Sequence, residues 1–111
     1  MLTHHGFKLE GPLVYSIGAN FSNNDLTPSV KLANIYQCAT GHSAARTITN
    51  FDDALTGHLL IIKGANPTYK TTIQDGTYLK LTADWVEATN NMLVLIKIGT
   101  VWLELCRSAN A

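Results

Sequence analysis

The closing stretch of the chain, NNMLVLIKIGTVWLELCRSANA, constrains the fold more than any other part of the sequence. Residues 92–98 are apolar at every position except Lys97, and a second apolar run follows the Gly99-Thr100 pair. Short apolar runs bounded by turn residues are typical of buried strands, and a glycine at the first of two loop positions suits a type II′ turn. The chain is therefore predicted to end in a β-hairpin.

The rest of the sequence carries the same β signal. Thirteen threonines and nine asparagines accompany many valines and isoleucines, and these residues favour strands and the turns between them. Strands are predicted at residues 12–17, 30–39, 46–51, 58–64, 68–73 and 77–81, with a short strand or a helical turn within 82–91. The Asp75-Gly76 pair predicts a hairpin between the fifth and sixth of these. The expected fold is all-β, a compact antiparallel β-sandwich or a β-barrel-like module.

Two regions are distinguished along the chain. Residues 45–111 have closely spaced strand signals and are predicted to form the β-rich module. Residues 1–44 have looser signals and are interpreted as an N-terminal arm with the first strands, which serves attachment and assembly.

The composition favours a protein that covers part of its surface with other subunits. The chain is 46% hydrophobic but only 14% charged, whereas a typical soluble domain has about 25% charged residues. Its net charge is zero and its lysines and arginines are scattered, so nucleic acid is not an expected partner. No apolar run is long enough for membrane insertion, and the N-terminus lacks the pattern of a signal peptide.

The residues that carry catalysis or bind metals show no convincing arrangement. Asp52 and Asp53 are adjacent, so on a strand they point to opposite faces. Ser43 beside His42 has only a superficial likeness to a nucleophile elbow, since the second glycine and the α/β context are missing. The four histidines are dispersed, and the two cysteines lack metal-site spacing. We expect no catalytic residue, no metal and no cofactor, and therefore not an enzyme.

The two closing strands carry more apolar residues than one core needs. Leu93, Leu95, Leu103 and Leu105 are predicted to face the core of the module. The opposite face is then predicted to be a subunit interface, and its residues are Met92, Val94, Ile96, Trp102, Glu104 and Cys106. One alternative interpretation is a sugar-binding surface with exposed Trp or Tyr rings, Trp102 and Trp85 among them. The other is simple exposure of Trp102.

Cys38 and Cys106 are interpreted as free thiols of a protein folded in a cytosol, although a disulfide in an oxidising compartment stays open.

Three segments in order, TITNFDDALTGHLLIIKG, TTIQDGTYLKL and NNMLVLIKIGTVWLELCRS, resemble a β-rich module of bacteriophage tail fibres, tailspikes and other virion appendages. The resemblance covers roughly residues 45–108. It departs from the usual pattern at Ile98, where an acidic or polar residue is common, and at Cys106, where serine is common. The resemblance implies a trimeric protein of the virion, made in the host cytoplasm, and it carries no catalytic residues.

The sequence thus leads to a functional hypothesis with two alternatives. The hypothesis is a homotrimeric structural module of a tail fibre or spike, which acts by assembly with other virion proteins or by host attachment. One alternative is a capsid decoration or head-fibre protein. The other is a carbohydrate-binding module that recognises host surface glycans.

Overall fold

The computed structural model describes residues 16–22, 25–41 and 43–110. Their regular secondary structure is entirely β. The strands are β1 (Ile35–Gln37), β2 (Arg46–Ile48), β3 (Leu59–Lys63), β4 (Thr71–Ile73), β5 (Leu79–Lys80), β6 (Trp85–Val86), β7 (Met92–Ile98) and β8 (Val101–Ser108).

The strands form two sheets. The larger sheet has five strands in the order β1-β3-β7-β8-β5, and the smaller sheet has three in the order β2-β4-β6. Both sheets are mixed: β1 and β3, β2 and β4, and β5 and β8 pair in parallel, while the other pairs are antiparallel. The all-β prediction is confirmed, but the prediction of a purely antiparallel arrangement is wrong.

The hairpin of β7 and β8 forms where the sequence predicts it. The two strands pair antiparallel from Met92 opposite Ser108 to Ile98 opposite Val101. Gly99 has a φ of 65°, a backbone conformation that glycine adopts without the steric cost of a Cβ atom. The register shifts between Val94 and Leu95, which marks a β-bulge in this hairpin.

The predicted hairpin around residues 74–76 does not form. β4, before the Asp75-Gly76 pair, belongs to the three-stranded sheet, and β5, after it, joins the edge of the five-stranded sheet beside β8. A turn signal specifies only that the chain changes direction locally. Here the chain crosses from one sheet to the other instead of returning along the same sheet.

The core lies where the two sheets contribute buried side chains to one cluster. Leu60, Ile62, Leu93 and Leu95 enter it from the five-stranded sheet, and all four are fully buried. The three-stranded sheet adds side chains that include Ile48, Ile73 and Trp85.

The described part of the N-terminal region belongs to this same core. Phe21 and Tyr36 stack with ring centroids 5.1 Å apart, and Val30 and Cys38 are completely buried. The role of residues 1–44 in attachment and assembly stays a prediction. The proposed role of residues 1–15 lies outside the described residues.

Candidate functional site

The candidate functional surface is the side of the five-stranded sheet that points away from the core, here called the outer face. Alternation along β3 and β7 sends every second residue there. The register then aligns these residues in rows across the sheet. The successive rows are Ile98 and Val101; Leu59, Ile96, Leu103 and Lys80; Ile35, Ile61, Val94 and Cys106; and Gln37, Lys63, Met92 and Ser108.

The outer face is apolar over most of its area, and its polar residues lie in the last row and at Lys80. Leu103 is 38% exposed, and Leu105, which has no residue opposite it in the register, is 55% exposed. Ile61, Val94 and Ile96 are partly exposed at the centre. Single exposed apolar residues are common, but a contiguous apolar patch marks an interaction surface.

The β-bulge decides which residues of β8 reach this surface. Leu95 lies opposite Glu104, whereas the preceding Val94 lies opposite Cys106, so Leu105 is the extra residue. In a regular strand without a bulge, alternation would put Cys106 on the same side as Glu104, since the two are two residues apart. The bulge instead brings Cys106 onto the outer face.

The structure therefore divides the predicted interface residues. Met92, Val94, Ile96 and Cys106 lie on the outer face, while Trp102 and Glu104 lie on the side of the core. Their role in contacts between subunits stays a prediction.

The placement of Trp102 on an outward face is wrong. Its ring is completely buried and meets Phe51 edge to face at 5.8 Å between centroids. The companion prediction that Leu103 and Leu105 face the core is wrong for the same reason, because both are exposed. The larger indole ring of Trp102 is packed in the core, and the two leucines lie outside it.

Glu104 has a structural role beside the bulge. Its carboxylate accepts hydrogen bonds from the Arg107 guanidinium, with Nε at 2.8 Å, and from the backbone N–H of Thr82 at 3.0 Å. The hydrogen bond from Arg107 lowers the pKa of Glu104 to about 2, against the opposing effect of burial. Arg107 also donates to the carbonyl oxygen of Ala83 at 2.7 Å. The pair thus ties the loop before β6 to the end of β8.

A second carboxylate, Glu87, is completely buried. Its Oε1 accepts the N–H groups of Ala65 at 2.8 Å and Asn66 at 2.7 Å, and its Oε2 accepts that of Thr71 at 2.6 Å. Asn66 in turn accepts from the next loop residues through its Oδ1. Nothing in the local sequence distinguishes this carboxylate from a solvated one, because its partners lie 16 to 22 residues earlier, in the loop after β3 and at the start of β4.

Cys38 and Cys106 differ in accessibility. Both thiols are free; Cys38 is buried and Cys106 is exposed. Burial raises the pKa of Cys38 to about 12, and the nearby Glu87 carboxylate adds to this effect. Cys106 is therefore the accessible thiol of the two.

The residues considered for catalysis are not brought together in the described part of the chain. Asp52 accepts from the Thr27 hydroxyl, and Asp75 accepts from the N–H of Leu81. His58 contacts the carbonyl oxygen of Ala33 through Nε2 at 2.9 Å. The described residues hold no group of three histidine, cysteine or acidic side chains suited to a metal ion. The suggested pair of Ser43 with His42 lies partly outside the described residues.

A half-open cleft of about 460 Å³ lies beside β1. Ile17 and Leu32 are among its exposed lining residues, Phe21 and Tyr36 are buried below them, and Asp25 adds a carboxylate. Trp85 and Trp102, the tryptophans named for the sugar-binding alternative, are both buried in the core. The cleft therefore lacks the exposed indole ring which that alternative predicts.

Comparison of the chain with protein-family models, with curated proteins and with solved structures finds no match. Within the described ranges, no helix has the length and apolar character needed to cross a membrane.

Proposed function

We propose that the protein is a non-catalytic structural protein of a bacteriophage virion, a homotrimeric β-module of a tail fibre or spike type appendage. It acts by assembly onto the particle or by attachment to the host. The observation that supports assembly is the apolar outer face of the five-stranded sheet, which the described chain leaves accessible although water solvates it poorly.

The outer face favours association over catalysis on physical grounds. Catalytic sites concentrate titratable groups in a concave pocket, whereas the outer face is a sheet surface that contributes apolar side chains such as Val94 and Ile96. Burying such side chains against another protein releases water and stabilises the complex by roughly 25 cal/mol for each Å² of apolar surface. The phage setting and the trimer come from the resemblance of residues 45–108 to virion appendage modules.

The trimer is tested by sedimentation velocity and native mass spectrometry of the full chain at micromolar concentration. Three chains of 12.1 kDa give an expected mass of about 36 kDa. A mass of 12.1 kDa throughout the concentration range contradicts the proposal.

The location is tested by immunogold labelling of purified phage particles that carry the gene. We expect gold at a tail appendage. Label spread over the capsid would contradict the appendage and would indicate a decoration protein, and recovery of the chain away from all particles would contradict a virion role.

A further inference from the structure

We propose that the outer face is the contact between copies of this chain, so that the outer face of each subunit packs against the outer faces of its neighbours. The inference rests on the proposed function, because it takes an assembled protein as its starting point. It adds the surface that makes the assembly and corrects the set of residues that build it.

The polar residues of the outer face lie on part of its border, while its first row is apolar. The centre is apolar and includes Ile61, Val94, Ile96 and Leu103. Polar side chains begin in the last row, where Lys63 and Ser108 flank Met92, and on the β5 edge at Lys80. An apolar centre with polar residues towards its border is the usual composition of a protein interface.

The area of the outer face indicates how many copies of the chain are needed for a stable contact. The 25 residues of its five strands, at about 4.8 Å between strands and roughly 3.4 Å along each strand, give a projected area of about 400 Å². A standard stable interface removes about 800 Å² from each partner. A simple face-to-face pair therefore falls below the usual size. Three copies around one axis share a single apolar core and also bring neighbouring sheet edges together, which increases the buried area.

The distribution of charge on the outer face favours contact with a second copy of this chain over contact with a different protein. The register places no carboxylate on the outer face of the described strands, and its charged groups, Lys63 and Lys80, lie at the border. Interfaces between identical subunits are more apolar than those between separate proteins, which use complementary charges for steering and specificity. The centre of this face offers apolar packing and no charge for a dedicated partner to match.

Cys106 provides a built-in reporter of this contact. It lies on the outer face directly opposite Val94 and is exposed in the single chain, whereas Cys38, the other cysteine of the sequence, is buried. Alkylation by a maleimide therefore reports the coverage of the outer face through one residue. We expect Cys106 to be protected in the assembled protein and to react at least tenfold faster once the protein dissociates.

The decisive experiment compares two matched charge substitutions in the full chain. Leu103→Glu places a carboxylate on the outer face, and Val86→Glu places one on the three-stranded sheet, where Val86 is 50% exposed. Both sites are exposed strand positions, so neither change disturbs the core. An uncompensated charge inside an interface is expected to weaken association by on the order of 100-fold. Sedimentation should show a folded monomer for Leu103→Glu and an unchanged oligomer for Val86→Glu, with circular dichroism verifying the folding of both.

Each other result overturns the inference in a distinguishable way. If both variants remain assembled, the copies meet through another surface, and the proposed function survives while the inference fails. Rapid alkylation of Cys106 in the intact oligomer leads to the same conclusion and does not depend on any substitution. A wild-type monomer contradicts the inference and the proposed homotrimer together. A wild-type monomer with a protected Cys106 would show that the outer face is covered within one chain, which also contradicts the inference.

Should Leu103→Glu fail to fold, Leu105→Glu takes its place, because Leu105 is the more exposed of the two and sits at the bulge. The same comparison with Val86→Glu then applies.

Discussion

Replacing Glu87 tests the idea that one buried carboxylate organises the loop between β3 and β4. The carboxylate accepts three backbone N–H groups, from Ala65, Asn66 and Thr71, at 2.6 to 2.8 Å, and its side chain has no exposed surface. A hydrogen bond to a charged group contributes about 1.5–3 kcal/mol to stability. Glu87→Ala removes all three bonds, and water replaces them only in part. We therefore expect this variant to lower the free energy of unfolding by about 4 kcal/mol or more.

The conservative variant Glu87→Gln gives a graded result. Its amide oxygen keeps an acceptor for Ala65 and Asn66, but its NH₂ group faces the N–H of Thr71, so one bond is lost and two donors meet. We expect Glu87→Gln to lower the free energy of unfolding by about 2–3 kcal/mol. Since a domain of this kind is stable by only about 5–15 kcal/mol, both effects are large enough to measure.

The assay is urea unfolding at a fixed protein concentration, followed by the fluorescence of the two buried tryptophans, Trp85 and Trp102. Asp53→Asn is the control, because Asp53 is exposed and its φ of 69° is a conformation that asparagine tolerates. The free energy of unfolding of this control is expected to stay within about 0.5 kcal/mol of the wild-type value. A Glu87→Ala protein within about 1 kcal/mol of the wild type would refute the reasoning.

Two further predictions concern close packing and acid stability. A Cβ atom at Gly64 would overlap the carbonyl oxygen of Ala88, while one at Gly76 would meet nothing within 4 Å. Gly64→Ala should therefore lower the free energy of unfolding by about 1–3 kcal/mol, whereas Gly76→Ala should leave it unchanged. Urea titration of both variants measures the difference. The Arg107 guanidinium lowers the pKa of Glu104 from 4.5 to about 2, so the folded state gains stability from this group above pH 4.5 and loses it as the pH falls from 4.5 towards 2. Glu104→Gln should lose less stability than the wild type over that window, and equal acid sensitivity of the two proteins would count against the ion pair.

Much of the outer face was predictable from the closing strands, and part of it was not. The sequence shows that β7 and β8 carry apolar residues on both sides, so one apolar side had to remain outside the core. It does not show which side of β8 that is, because leucine and tryptophan both suit a core. The contribution of β3 to the outer face, through Leu59 and Ile61, also required the pairing of β3 with β7.

The amino-acid sequence by itself determined the β class of this protein, the closing hairpin with its turn at Gly99, and the inward direction of Leu93 and Leu95. These properties depend on neighbouring residues: alternation, turn chemistry and the length of apolar runs. Only the tertiary structure decided the sheet to which each strand belongs and the face that β8 presents. The reason is that parallel pairing, the bulge at Leu105 and the burial of Glu87 all depend on contacts between residues far apart in the chain, which no local pattern specifies.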